Sequence, residues 1–211
     1  MAALAACIRN CSTRWPPSPD LRELLYLHGF RSSPASFKAR RLSEHFERRG
    51  EAARFLCPQL PPSPQQAFAL VRALVDGKAP DGFSVIGSSL GGFYATALAE
   101  ATGCRAALIN PAVWPARDLA KYIGEQQAWH SEDRFDFRPE YIAELQALTV
   151  ERITRPQRYL LLAATGDEVL DWREMCARYD GANQHVVEGS DHGLSDFDDY
   201  LDEVVRFCEQ Q

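Results

Sequence analysis

The stretch Phe83-Ser84-Val85-Ile86-Gly87-Ser88-Ser89-Leu90-Gly91-Gly92 constrains this chain more than any other. It reads as an apolar strand, then a Gly-x-Ser-x-Gly turn centred on Ser89, then a helix. A serine in that turn is held on a sharp strand-to-helix bend with its hydroxyl above the sheet edge. Gly87 and Gly91 flank the bend where a β-carbon would strike neighbouring backbone. Gly92, Ala95 and Ala99 follow at helical spacing and let the helix pack close to a sheet. The helix N-terminus aims free amides and a positive dipole end at Ser89. Gly and Ser are common, so the pattern alone also fits a plain loop. The strand before it and the helix after it favour the functional reading.

Apolar runs repeat on both sides of this turn. Leu24 to His28, a short run at Ala53 to Leu56, Phe83 to Ser88, Ala106 to Ile109, Arg158 to Ala163 and Gln184 to Val187 read as strands. Helical spacing falls between them: Phe37 to Arg49, Ala67 to Val75, the helix after Ser89, Trp172 to Tyr179 and Phe197 to Cys208. Strands that alternate with helices predict a mainly parallel sheet of about six strands with helices on both faces. Residues 114–155 break the alternation with aromatics and charges, and a helix is expected near Glu140 to Leu148. This segment reads as a small cap insertion over the carboxyl edge of the sheet. Residues 1–20 are read as a disordered extension or a start codon assigned too early. Residues 21–211 are read as a single domain.

A serine hydroxyl needs a base, and the base an orienting carboxylate. Behind an elbow of this kind the acid and then the histidine follow later in the chain. His192, in Glu188-Gly189-Ser190-Asp191-His192, falls in a loop between the last strand and the last helix. That placement makes it the candidate base. His28 is read as bonding loop backbone, His45 lies in a helix, His130 in the cap and His185 inside a strand. Asp167, Glu168 and Asp171 compete for the acid. Asp167 is first off its strand beside Gly166 and is favoured; Asp171 makes a natural N-cap, and Glu168 is read as solvated. The backbone N–H groups of Leu90 and Phe30 are the expected oxyanion donors.

The rest of the sequence narrows the classes. With 211 residues and a net charge of −6, the chain suits a full core and does not suggest a nucleic-acid partner. No apolar run approaches the roughly 20 residues that a membrane span needs. Cys7, Cys11, Cys57, Cys104, Cys176 and Cys208 are scattered, and Cys57 and Cys104 sit in apolar runs. They read as reduced thiols of a cytoplasmic protein, with no metal site. Arg40, Arg41, Arg48 and Arg49 read as a solvated face.

Taken together, these blocks resemble the α/β-hydrolase superfamily, and within it the small bacterial YqiA-type esterases. The matching residues are Tyr26-Leu27-His28-Gly29-Phe30 with Ser32-Ser33-Pro34, Pro58-Gln59-Leu60-Pro61-Pro62, Ile86 to Gly92, Asn110-Pro111-Ala112-Val113, Thr165 to Asp171, and Glu188 to His192. The resemblance implies a serine esterase acting on short acyl esters, or acyl-CoA thioesters, with Ser89, Asp167 and His192 as a triad and no cofactor. Residues 1–20 have no counterpart in it, and the cap diverges most. Two other readings stand beside it: a non-catalytic binding protein on the same fold, and a thioesterase, peptidase or acyltransferase using the same residues.

Overall fold

β3 (Phe83–Ser88) is buried along its whole length, and the architecture is built outward from it. A strand buried on both faces needs paired strands on each side and a helical layer above and below. β1 (Glu23–Leu27) and β4 (Arg105–Ile109) pair with it in parallel, with Tyr26 opposite Ile86 and Ile86 opposite Ala107. β2 (Phe55–Leu56) extends the sheet beyond β1; β7 (Tyr159–Ala164) and β8 (Asn183–Val187) extend it beyond β4. The order is β2-β1-β3-β4-β7-β8, all parallel. A computed structural model describes residues 22–129 and 131–210. The expectations for residues 1–20 and for His130 lie outside those residues.

Alternate side chains of the strands feed two apolar layers. On one face Leu24, Tyr26, Ile86, Ala107 and Leu162 pack with α1 (Phe37–Arg48) and α7 (Leu201–Glu209). On the other, Leu25, Leu27, Val85, Leu108 and Leu161 pack with α2 (Pro64–Leu74), α3 (Leu90–Thr102) and α6 (Trp172–Arg178). Each fully buried Leu or Ile side chain contributes about 1.5–3 kcal/mol. The order runs from β1 outward to β2, then returns to β3 on the other side of β1. Strand order therefore reverses between β1 and β3, and crevices at such a switch point are where open α/β sheets bind ligands.

The segment between β4 and β7 holds α4 (Pro115–Leu119), an antiparallel hairpin of β5 (Gly124–Gln127) and β6 (Arg134–Phe137), and α5 (Glu140–Ala147). The helix expected near Glu140 is present; the hairpin is an addition to the sequence reading. The strand expected from Ala53 is instead a short 3-10 turn, Ala52–Arg54, followed by two residues of β2. Arg54 explains the shortening, because its buried guanidinium turns back to bond Glu51 and Glu209. The last helix starts at Leu201, after a separate 3-10 turn, Phe197–Asp199. The expected solvated face of α1 is present: Arg40, Arg48 and Arg49 are exposed and Arg41 is half-buried, with Arg41 bonding Glu44 and Asp198 and Arg49 bonding Glu209 at the surface.

Cys57, Cys104, Cys176 and Cys208 are free. Cys57 and Cys104 lie beside strands rather than within them, and burial pushes their thiols up to about 12 and about 11. At such values they are inert fillers. No helix among the described residues is long and apolar enough to cross a membrane.

Candidate active site

Ser89 adopts φ 55° and ψ −121°, a conformation that costs a non-glycine residue about 1–3 kcal/mol. Its neighbours over-determine it. Its N–H donates to Ile109 O at 3.0 Å, and its carbonyl accepts from Gly92 N at 2.9 Å and Ala112 N at 3.0 Å. A β-carbon on Gly87 would collide with Gly91 backbone, and one on Gly91 with the Leu27 carbonyl. The expected elbow is therefore present, with the collisions that its glycines were read to avoid.

Three chain-distant side chains converge there. His192 Nε2 lies 3.0 Å from Ser89 Oγ, and its Nδ1 lies 2.7 Å from Asp167 Oδ2. The Asp167 side chain is fully buried, and its Oδ1 accepts from the Val169 and Leu170 amides at 2.8 Å each. Asp171 is the N-cap of α6, accepting from Arg173 N at 2.9 Å, and does not reach His192. Glu168 is exposed, as expected, and in addition its Oε2 accepts from the His192 amide at 3.0 Å.

The other histidines lie elsewhere. His28 is buried; its Nε2 accepts from Leu60 N at 3.2 Å, which leaves the Nδ1 proton for Gly29 O at 3.0 Å. His45 neighbours Asp202, and His185 pairs with Glu203. Among the described residues no group of three or more His, Cys, Asp or Glu could hold a metal ion.

Two residues outside the expected set hold the histidine loop. Asn110, fully buried with φ 42°, donates from Nδ2 to Asp191 O and His192 O at 3.0 Å each. Its Oδ1 accepts from Ala164 N at 2.8 Å, so one amide ties the ends of β4 and β7 to the His192 loop. Lys38, on α1 and 9% exposed, donates from Nζ to the Gly193 carbonyl. Burial lowers its pKa to about 8, against the pull of Asp191 and Asp167. Asn110 stood out in sequence only as part of the matching block Asn110-Pro111-Ala112-Val113, with no role attached, and a lysine beside an apolar stripe looks like surface.

Leu90 opens α3, where the first amides have no intrahelical partner. Gly29 rests against Ser89: a β-carbon there would sit 3.1 Å from Ser89 Cβ. The Phe30 ring is gripped by Tyr122, Phe135 and Phe137, with centroids 5.1–5.9 Å away. Arg31 straps the same loop to the hairpin, accepting from Trp129 N at 2.7 Å and donating from Nε to Gln127 O at 2.7 Å. Gly29, Phe30 and Leu90 line both of two adjoining cavities. One of about 580 Å³ contains Ser89, His192 and Lys38. The other, of about 590 Å³, is lined by Leu60, Pro62, Leu70, Tyr94 and Phe135. Asp118 Oδ2 is buried without a hydrogen-bond partner, Ser36 Oγ is buried beside the Tyr26 hydroxyl, and both residues line the first cavity.

Comparison with known proteins gives the following. The family described as "Uncharacterised protein family (UPF0227)" matches residues 23–209. A protein from Agrobacterium vitis S4, proposed to be a hydrolase, is similar at TM-score 0.74 and 17% identity, covering 93% of this chain and 91% of its own. Mouse alpha/beta hydrolase domain-containing protein 10 gives TM-score 0.65 at 17% identity, covering 90% of each chain. The esterase domain of a Rhodothermus marinus protein gives 0.60 at 18% identity, covering 90% of this chain and 88% of its own. At these identities the likeness carries the α/β-hydrolase fold.

Proposed function

Because the chain belongs to the UPF0227, YqiA-type family and has an α/β-hydrolase fold, we propose that it is a serine esterase. Its substrates are short-chain carboxylic esters, and it works through an acyl-enzyme. The observation that carries this reading is the 3.0 Å approach of His192 Nε2 to Ser89 Oγ, with Asp167 2.7 Å behind Nδ1. The esterase description of the Rhodothermus marinus domain is in keeping with it.

In the first step His192 takes the Ser89 proton as Oγ attacks the ester carbonyl. Asp167 holds the Nδ1–H and stabilises the imidazolium. The amides of Leu90 and Phe30 receive the developing oxyanion. The tetrahedral adduct collapses, and the alcohol leaves with the proton from His192. Water, deprotonated by His192, then attacks the acyl-serine and frees the acid. A thioester would follow the same path with a thiol leaving.

The testing experiment is hydrolysis of p-nitrophenyl esters of rising acyl length, with fluorophosphonate labelling beside it. Activity should peak at short chains, and the label should land on Ser89. No turnover at any length, with no label, would replace the reading with a binding protein on the same fold.

The acid assignment has its own test. Asp167→Asn should lower kcat by about 10³–10⁴-fold, because the amide favours the wrong imidazole tautomer. Asp171→Asn should keep near-wild-type kcat, since asparagine caps a helix nearly as well as aspartate. Steady-state kinetics of both variants checks the ranking, and the reverse order would move the acid to Asp171.

A further inference from the structure

The cavity beside Ser89 is cationic in a protein whose net charge is −6. Arg31, Lys38 and Lys121 line it, against one carboxylate, Asp118. Asp118 is partly paired: Arg117 Nε lies 2.7 Å from its Oδ1, while its Oδ2 has no hydrogen-bond partner. Positive groups on low-dielectric walls concentrate anionic ligands. One corner of the cavity is also unusually built. Lys38 is 9% exposed and Ser36 is 8% exposed, and both face the space that holds the nucleophile.

An ammonium has three N–H donors. The one hydrogen bond found for Lys38 goes to the Gly193 carbonyl. The neighbouring acids are engaged elsewhere. Asp167 holds His192 and two amides, and Asp191 holds the Ser195 amide and hydroxyl. Ser36 Oγ is buried beside the Tyr26 hydroxyl, which can donate to it and so leaves the Ser36 proton for a ligand in the cavity. Burying a charge and a hydroxyl with donors unused is costly unless a ligand completes them.

Building on the esterase reading, we propose that Lys38 and Ser36 form an anion subsite in the catalytic cavity. It selects esters that carry a carboxylate near the scissile bond. The ammonium gives a charge-assisted hydrogen bond to one carboxylate oxygen, and the Ser36 hydroxyl donates to the group alongside. Lys38 then has two tasks, holding the His192 loop through Gly193 and reading the substrate's charge.

The test compares two matched ester pairs. On the acyl side these are mono-p-nitrophenyl adipate and p-nitrophenyl hexanoate. On the alcohol side they are 4-carboxyphenyl butyrate and phenyl butyrate. Wild type should prefer the carboxylate member of at least one pair by more than about tenfold in kcat/KM. Lys38→Met should abolish that ratio, and Ser36→Ala should reduce it severalfold. Equal rates within both pairs would overturn the subsite. So would a Lys38→Met loss that is the same for both members, since the ammonium would then serve the loop alone.

Calorimetric titration of adipate separates this proposal from the esterase reading beneath it. If no ester turns over and Ser89 takes no label, that reading falls. Adipate binding that is lost in Lys38→Met and weakened in Ser36→Ala would still support the subsite. Absence of binding to the wild-type protein would sink it.

Discussion

Ser89→Ala is expected to lower kcat/KM on any ester the protein hydrolyses by at least about 10⁴-fold while leaving the fold intact. The two effects separate because Oγ supports little of the structure. Its one hydrogen bond is the 3.0 Å contact with His192 Nε2. The backbone that sets φ at 55° is held by Ile109, Gly92 and Ala112 through main-chain atoms, which alanine preserves. On the proposed mechanism no acyl-enzyme forms without the hydroxyl, and only substrate positioning and the amides of Leu90 and Phe30 would be left. The melting temperature should shift by no more than about 2 °C. Ser89→Gly should lose activity equally but gain about 1 kcal/mol, because glycine takes the positive φ without strain. Kinetics and thermal melts on the two variants check both halves. Retention of more than a tenth of wild-type turnover in Ser89→Ala would move the nucleophile elsewhere.

The elbow was legible because its chemistry is local. Strand, Gly-x-Ser-x-Gly and helix are contiguous, and Gly87 answers a collision with Gly91 only four residues on, although Gly91 answers one with the distant Leu27. His192 and Asp167 were legible by place, since each follows the carboxyl end of a strand of the parallel sheet, where that topology gathers such loops. The missed residues work across the chain. Asn110 bonds a loop some 80 positions away, and nothing near it in sequence announces that bond. Glu168 is exposed as read, but its bond to the His192 amide was not legible, because only the loop geometry sends one carboxylate to His192 Nδ1 and the next to His192 N. The β5–β6 hairpin left a trace in Arg134-Phe135-Asp136-Phe137, which alternates polar and apolar. Its partner, Gly124-Glu125-Gln126-Gln127, has no apolar side at all. That strand is held by pairing and by the Arg31 strap rather than by its own pattern.

Gly91→Ala should be the most damaging single methyl in the protein. The added carbon would overlap the Leu27 carbonyl, with His28 O only 2.7 Å away, and both obstacles are backbone. Neither side can retreat. β1 is paired on both edges, with Leu25 opposite Leu56 and Val85. α3 is pressed from behind, since Gly92 already lies so close to Pro111 that a β-carbon there would come within 2.6 Å of Pro111 Cβ. Relief requires moving the helix off the sheet, which opens a core of Leu27, Leu90, Tyr94 and Leu98. The expected loss exceeds about 4 kcal/mol, a large share of the stability of an ordinary domain. Gly50→Ala is the control: its φ is 69° and nothing lies within 4 Å of an added carbon, so the cost is about 1–2 kcal/mol of backbone strain. Urea unfolding of the two variants beside wild type measures the difference, and similar midpoints would mean that α3 does not sit this close to β1. The contrast with Ser89 is the physical content of the site. At Ser89 chemistry can be removed and the fold kept. At Gly91 they fall together, because the same close approach that closes the core sets the Leu90 amide beside the loop of Gly29 and Phe30.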